Sequence, residues 1–282
     1  MNKGDIDYCI PKEYAKENIP IMKNEDSLLA LHLEYNNHSL SKHDKLMANA
    51  IGLIPIFQNN GTNQEKLLII QEKISKFDEE IQSVAAQLDC EGERTDQIAN
   101  YLDKINQKRT TKLTALSIIA GSLTTILAIA FKNNDTQNAT AIIGGLTSSI
   151  LSIITINPNG KKIIWNQNEN ILEDVWAEKN IHSFIPESLW YVLNTKQFSN
   201  SGEISLVQSI KKRWVDYIFK GHIEQSDIKL YYKNGGTYVA EDLHNKATML
   251  NQMQATLRSI HQDLSNFTTH IDTYYHNQSL VL

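Results

Sequence analysis

Cysteine is scarce: Cys9 and Cys90 lie far apart in 282 residues and match neither a CxxC nor a Cys/His metal spacing. They read as two thiols suited to a reducing compartment, not as a disulfide framework. Positive charge is not in excess either. Lys and Arg number 27 against 32 Asp and Glu, a net charge of −5, which argues against a nucleic-acid-binding face. The N-terminal stretch MNKGDIDYCIPKEYAKENIP has no continuous apolar core of signal-peptide length. Synthesis in the cytoplasm without that route of secretion is therefore expected. The motifs GxxxxGK(S/T), HExxH, GxSxG and GxGxxG are all missing. Nine histidines are scattered, and neither HLE at 32–34 nor HIE at 222–224 has metal-ligand spacing. No catalytic residue, metal ligand or cofactor is expected, and an enzyme is not the expected class.

What the sequence does contain is concentrated apolarity. Residues 113–156, LTALSIIAGSLTTILAIAFKNNDTQNATAIIGGLTSSILSIITI, hold no charges except Lys132 and Asp135 in the connector KNNDTQN. The flanking runs, Leu113–Phe131 and Ala139–Ile156, are 19 and 18 residues long, close to the ~20 residues that cross a hydrocarbon core of about 30 Å. Both are apolar or small on every face, whereas helices of soluble cores are usually amphipathic. A bilayer-inserting helical hairpin is expected, against the alternative of a buried soluble pair. The inserting residues are Leu113, Leu116, Ile118, Ile119, Leu123, Ile126, Leu127, Ile129 and Phe131 on the first arm. On the second they are Ile142, Ile143, Leu146, Ile150, Leu151, Ile153, Ile154 and Ile156. Gly121 with Thr125, and Gly144 or Gly145 with Ser148 or Ser149, form small-xxx-small pairs that permit close helix packing. Lys108, Arg109 and Lys112 precede the hairpin and Lys161 and Lys162 follow it, which by the positive-inside rule keeps both ends on the cytoplasmic side.

Around the hairpin the pattern is helical. Residues 1–63 read as an arm followed by helices, with apolar residues at helical spacing from Asp26 to Phe57, a cap at Ser39 or Ser41, and a helix end made uncertain by Pro55. In 64–112, Leu67, Ile70, Ile74, Phe77, Ile81, Val84 and Leu88 follow an a/d heptad seam. Gly92 weakens it before it resumes at Ile98, Leu102 and Ile105. In 241–282 a second seam runs through Leu243, Ala247, Leu250, Met253, Leu257, Ile260, Leu264, Phe267, Ile271 and Tyr274. The two seams most simply cover each other as an antiparallel pair, although self-dimerisation of either is also open. Residues 157–240 hold all four tryptophans and helical patterns near 169–180, 186–197 and 203–220. There IKLYYKNGGTYVAE (228–241) alternates about Asn-Gly-Gly, a signal for a small β-hairpin or a simple loop. KKR at 211–213 and the following Trp214 read as a solvated face with Trp214 in the core, the alternative being contact with lipid headgroups. His261 and His270 read as seam flanks, with a pH sensor as the alternative. The expected fold is all-α, an elongated bundle of long heptad helices around a central hydrophobic hairpin.

A long helix, a hydrophobic hairpin and a returning long helix over about 64–275 resemble, in architecture, the α-helical pore-forming toxins of the cytolysin A, Xax–Yax and tripartite Hbl–Nhe type. The resemblance implies a soluble form that hides the hairpin and an oligomeric membrane form that exposes it. Residues 108–165 also resemble bacterial two-transmembrane effectors of the SLATT type. Both imply membrane permeabilisation, with Ser and Thr faces lining a pore and heptad helices supplying oligomer contacts. The expected partners are a lipid bilayer and further copies of the chain or a second toxin subunit, with no nucleic acid. The alternative is a permanently anchored two-transmembrane scaffold whose coiled-coil stalk binds a protein partner. A wholly soluble helical bundle is a third reading.

Overall fold

The computed structural model describes Cys9 and residues 19–35, 38–59, 61–130, 160–166 and 170–279; for Tyr35, 113–130 and 274–279 it describes the backbone alone. The chain is mostly helical and divides into two compact units. One comprises Met1–Glu93, Asn166–Gly235 and Lys246–Leu282, the other Arg94–Trp165 and Gly236–Asn245.

In the first unit the Asp26–Phe57 stretch is broken into α1 (Glu25–Ala30), paired strands β1 (Glu34–Tyr35) and β2 (His38–Ser39), α2 (Lys42–Ala50) and α3 (Ile54–Gln58). The break has a packing cause. Leu33 and Leu40 flank the antiparallel strands, are both buried, and are joined by the Leu40 N–H donating to the Leu33 carbonyl at 2.9 Å. Ser41 caps α2. Its Oγ accepts from the Asp44 amide at 3.1 Å while the Asp44 carboxylate accepts from the Ser41 amide at 3.3 Å, a reciprocal capping box. Pro55 opens α3 instead of ending a helix, because a first-turn residue has no intrahelical use for an N–H.

Two long helices, α4 (Asn63–Ala130) and α9 (Ala240–Ser279), carry the heptad seams. Ile70, Phe77, Ile81, Val84 and Leu88 of α4 are buried, as are Leu250, Met253, Leu257, Ile260, Leu264, Phe267 and Ile271 of α9. Their contacts run in opposite directions along the two helices. Asp78 meets His261 at 2.7 Å, Gln254 donates to Asp89 at 2.9 Å, and Gly92 lies against Leu250 and Asn251. The antiparallel pairing is thus made within one chain. Gly92 does not interrupt α4; it is buried against α9, where a Cβ would stand 2.9 Å from Asn251 Oδ1 and 3.6 Å from Leu250 Cβ.

The rest of the first unit is a helical cluster: α5 (Ile171–Ala177), α6 (Glu187–Asn194), a 3₁₀ turn (Lys196–Phe198), α7 (Leu206–Arg213) continued by a π turn (Trp214–Ile218), and α8 (Gln225–Tyr232). Trp214 is fully buried, in keeping with the core reading, and Tyr232 stacks on Trp176 with centroids 4.5 Å apart. The alternating Ile228–Tyr232 segment is helix, not strand. Glu224 and Asp227 form a capping box that starts α8, and both Tyr231 and Tyr232 are buried.

One expectation is overturned outright. Cys9 and Cys90 form a disulfide spanning 81 residues of sequence, with Cα atoms 5.6 Å apart. The distance in sequence that argued against pairing is closed by folding, which brings Cys9 to α4, where it is buried.

The second unit contains the remainder of α4 with β3 (Ile163–Asn166), β4 (Gly235–Tyr238) and the start of α9. The anticipated hairpin around Asn234-Gly235-Gly236 is replaced by pairing of β4 with β3, its distant partner in sequence. Buried positions on this part of α4 are Thr95, Ala99 and Leu102, while Ile98 and Ile105 are half-buried. Beyond Val84 the buried series therefore steps Leu88, Gly92, Thr95, Ala99, Leu102. Two successive four-residue steps meet at Leu88, as in a stutter: Thr95 and Leu102 keep seven-residue spacing from Leu88, while the alternate position moves one residue, from Glu91 and Ile98 to Gly92 and Ala99.

Candidate functional site

Of the expected membrane-inserting residues, Leu113, Leu116, Ile118, Ile119, Leu123, Ile126, Leu127 and Ile129 lie on the α4 backbone, as do Gly121 and Thr125; their side chains fall outside the description. Phe131, the second arm from Ile142 to Ile156, and Gly144, Gly145, Ser148 and Ser149 lie outside the described residues. Among the described residues no helix is long and apolar enough to cross a membrane. What is described is the foot from which the apolar segment leaves and to which the chain returns.

That foot is built by α4. Along residues 104–112 the helix carries Lys104, Lys108, Arg109 and Lys112, all exposed. Between them Asn106 turns to the returning chain. Its Oδ1 accepts from the Lys161 amide at 2.7 Å, and Gly160 sits so close that a Cβ would be 2.4 Å from Asn106 Nδ2. Gly160 also has φ +42°, a conformation that costs an L side chain energy. Two independent constraints therefore specify glycine at this position. The outcome is that Lys161 and Lys162, both exposed, stand beside the cationic turns of α4. Charges that flank residues 113–156 on either side in sequence are brought to one place.

Beneath this foot the second unit is tied by polar and aromatic contacts. His244 of α9 lies between two carboxylates of α4, Nδ1 2.9 Å from Asp96 and Nε2 2.9 Å from Asp103. Both ring nitrogens must carry protons to donate to both. The bond to Asp103, helped by Asp96 and opposed by partial burial, raises the His244 pKa above the ordinary imidazole value. Arg94 lies over Trp165 at 4.9 Å, and Trp165 meets Tyr238 at 6.2 Å.

Elsewhere several ionisable groups are paired. Glu173 is held by His182 at 3.2 Å and by Lys233; burial works against its charge, but the hydrogen bonds from these two partners outweigh it and lower its pKa. Asp174 is fully buried and accepts from the Ile181 and His182 amides; burial dominates and raises its pKa. His261 pairs with Asp78, and His270 meets buried Asp44 at 3.0 Å, so both seam-flank histidines bond to carboxylates. Among the described residues no group of three His, Cys, Asp or Glu is arranged to hold a metal ion.

Sequence reasoning missed Asn106, Gly160 and the Asp96–His244–Asp103 bridge. The NPNG turn before Lys161 was a visible signal for the second; nothing local marks the other two. Comparison with family models, curated proteins and solved structures finds no match.

Proposed function

We propose that this chain permeabilises membranes by inserting the 113–156 hairpin into a bilayer and clustering it with copies from other chains. The observation that carries the reading is the closure at Asn106 and Lys161. It places the chain's departure and return side by side. Measured along the sequence, 26 residues separate Asn106 from Lys132 and 23 separate Asn138 from Lys161, so the two arms match about the polar connector. As helices, arms of that length each reach roughly 35–39 Å, enough for a hydrocarbon core of about 30 Å. Gly121, Thr125, Gly144, Gly145, Ser148 and Ser149 then supply the close helix contacts, and Ser and Thr faces turn toward a lumen.

Two findings refine the reading. The heptad seams are covered inside one chain, so oligomer contacts fall to the hairpins and not to free heptad stripes. The Cys9–Cys90 disulfide favours action in an oxidising environment over permanent residence in a reducing one.

The test is dye release from liposomes by detergent-free protein, followed by flotation of the same vesicles. Release with protein in the floated fraction is expected, and Gly121→Leu with Gly144→Leu should reduce it. Flotation without release would favour a passive anchor. Neither flotation nor release would sink the proposal.

A further inference from the structure

We infer that the cationic foot of the hairpin is a composite binding surface for anionic phospholipid headgroups, an inference that rests on the membrane reading above. Charge in this chain is strongly segregated. From Lys104 to Lys162 the only acidic residue is Asp135, against seven Lys and Arg, giving +6 there and −11 in the remainder. Lys104, Lys108 and Lys112 follow one another at i, i+4 and i+8 on α4, a like-charge stripe that destabilises an isolated helix. Among the described residues none of these three, nor Arg109, Lys161 or Lys162, makes an ion pair. Lys104, Gln107, Lys108, Thr111 and Lys112 line a shallow open groove.

Cations set against one another in this way gain most from an external anion. The Asn106–Lys161 closure adds the last two, so a single surface collects six positive charges from segments about 50 residues apart. The surface is continuous with the apolar run beginning at Leu113, which fixes the partner. Phosphate groups that meet the foot while the next residue enters hydrocarbon belong to a lipid leaflet. Basic clusters next to a membrane segment bind anionic lipid in this manner, each cation contributing about fivefold to partitioning.

The experiment is flotation of full-length protein with vesicles of phosphatidylcholine alone and of phosphatidylcholine mixed with phosphatidylserine, at low and high salt. Wild type is expected to favour the anionic vesicles, and high salt should erase the preference. The triple variant Lys108→Gln, Arg109→Gln, Lys112→Gln should lose about a hundredfold of that preference while still floating on phosphatidylcholine. Lys161→Gln with Lys162→Gln, on the other segment, should lose about twenty-five-fold. Circular dichroism and thermal melts matching wild type exclude misfolding. Equal binding of wild type to both vesicle types, or an unchanged preference in both variants, overturns the headgroup surface and leaves the insertion reading standing. Failure of wild type to float on either vesicle overturns both. Displacement by inorganic phosphate at constant ionic strength would reassign the surface to a soluble anion and overturn the lipid assignment.

Discussion

Cutting the Cys9–Cys90 bond tests the fold and its compartment together. The bond closes a loop of 81 residues, and in the chain-entropy treatment removing such a cross-link frees the unfolded chain by about 4.5 kcal/mol at 25 °C. That is a large share of the ~5–15 kcal/mol by which domains are stable. Cys90 is half-buried on α4 and Cys9 is buried, so a small reductant reaches the bond from the Cys90 side. The assay is equilibrium urea unfolding followed by tryptophan emission, because Trp176, Trp190 and Trp214 belong to the unit that the disulfide cross-links. Dithiothreitol should move the wild-type midpoint down markedly. Cys9→Ser should start from the lowered midpoint and ignore the reductant. Thiol titration in denaturant should find none free before reduction and two after. An unmoved midpoint with two free thiols in the untreated protein would refute the cross-link, and with it the argument for an oxidising environment.

Other consequences follow from single residues. Phe267 is fully buried in the α9 seam, so Phe267→Ala should cost about 3–5 kcal/mol, read as a lowered urea midpoint. The raised pKa of His244 means that its bridge contributes fully below pH 6.5 and is lost as pH rises through the folded value. Urea midpoints should therefore fall across that window in wild type and stay level in His244→Gln, and an imidazole titrating at or below 6.5 by NMR would contradict the bridge. Gly160→Ala meets both the positive φ and Asn106; it should cost about 2–3 kcal/mol from backbone strain and one lost hydrogen bond. The Lys161 amide, now without its acceptor, should exchange faster with solvent.

The helices were legible because their signals are local. Ser41 followed by Asp44, and Ser205 followed by Gln208, are capping boxes visible in four letters, and both begin helices here. Seam residues from Ile70 to Leu88 and from Leu250 to Ile271 repeat at 3 and 4, and most are buried. Local rules failed where a distant partner decides. Ile228–Tyr232 alternates like a strand, yet the stacking of Tyr232 on Trp176 settles it as helix. Gly235–Tyr238 takes β3 as its neighbour, not the residues across the Asn-Gly-Gly turn. The seam shift at Gly92 was unreadable because a stutter shows only when one knows that Ala99, not Ile98, faces the core.

The same division applies to the candidate site. Along α4 three chemistries follow in order: an apolar seam to Leu102, a cationic stretch from Lys104 to Lys112, and an apolar run from Leu113. Each is recognisable by composition in its own window. Their arrangement in space is set by residues whose importance no window reveals. Gly92 matters because α9 passes within reach of its Cα, and Asn106 matters because Gly160 has no side chain to displace it. A lysine cluster before residue 113 and another after residue 156 read as two separate flanks along the chain. Once the Asn106 side chain accepts from Lys161 they become a single surface, a juxtaposition that about 50 residues of intervening sequence conceal.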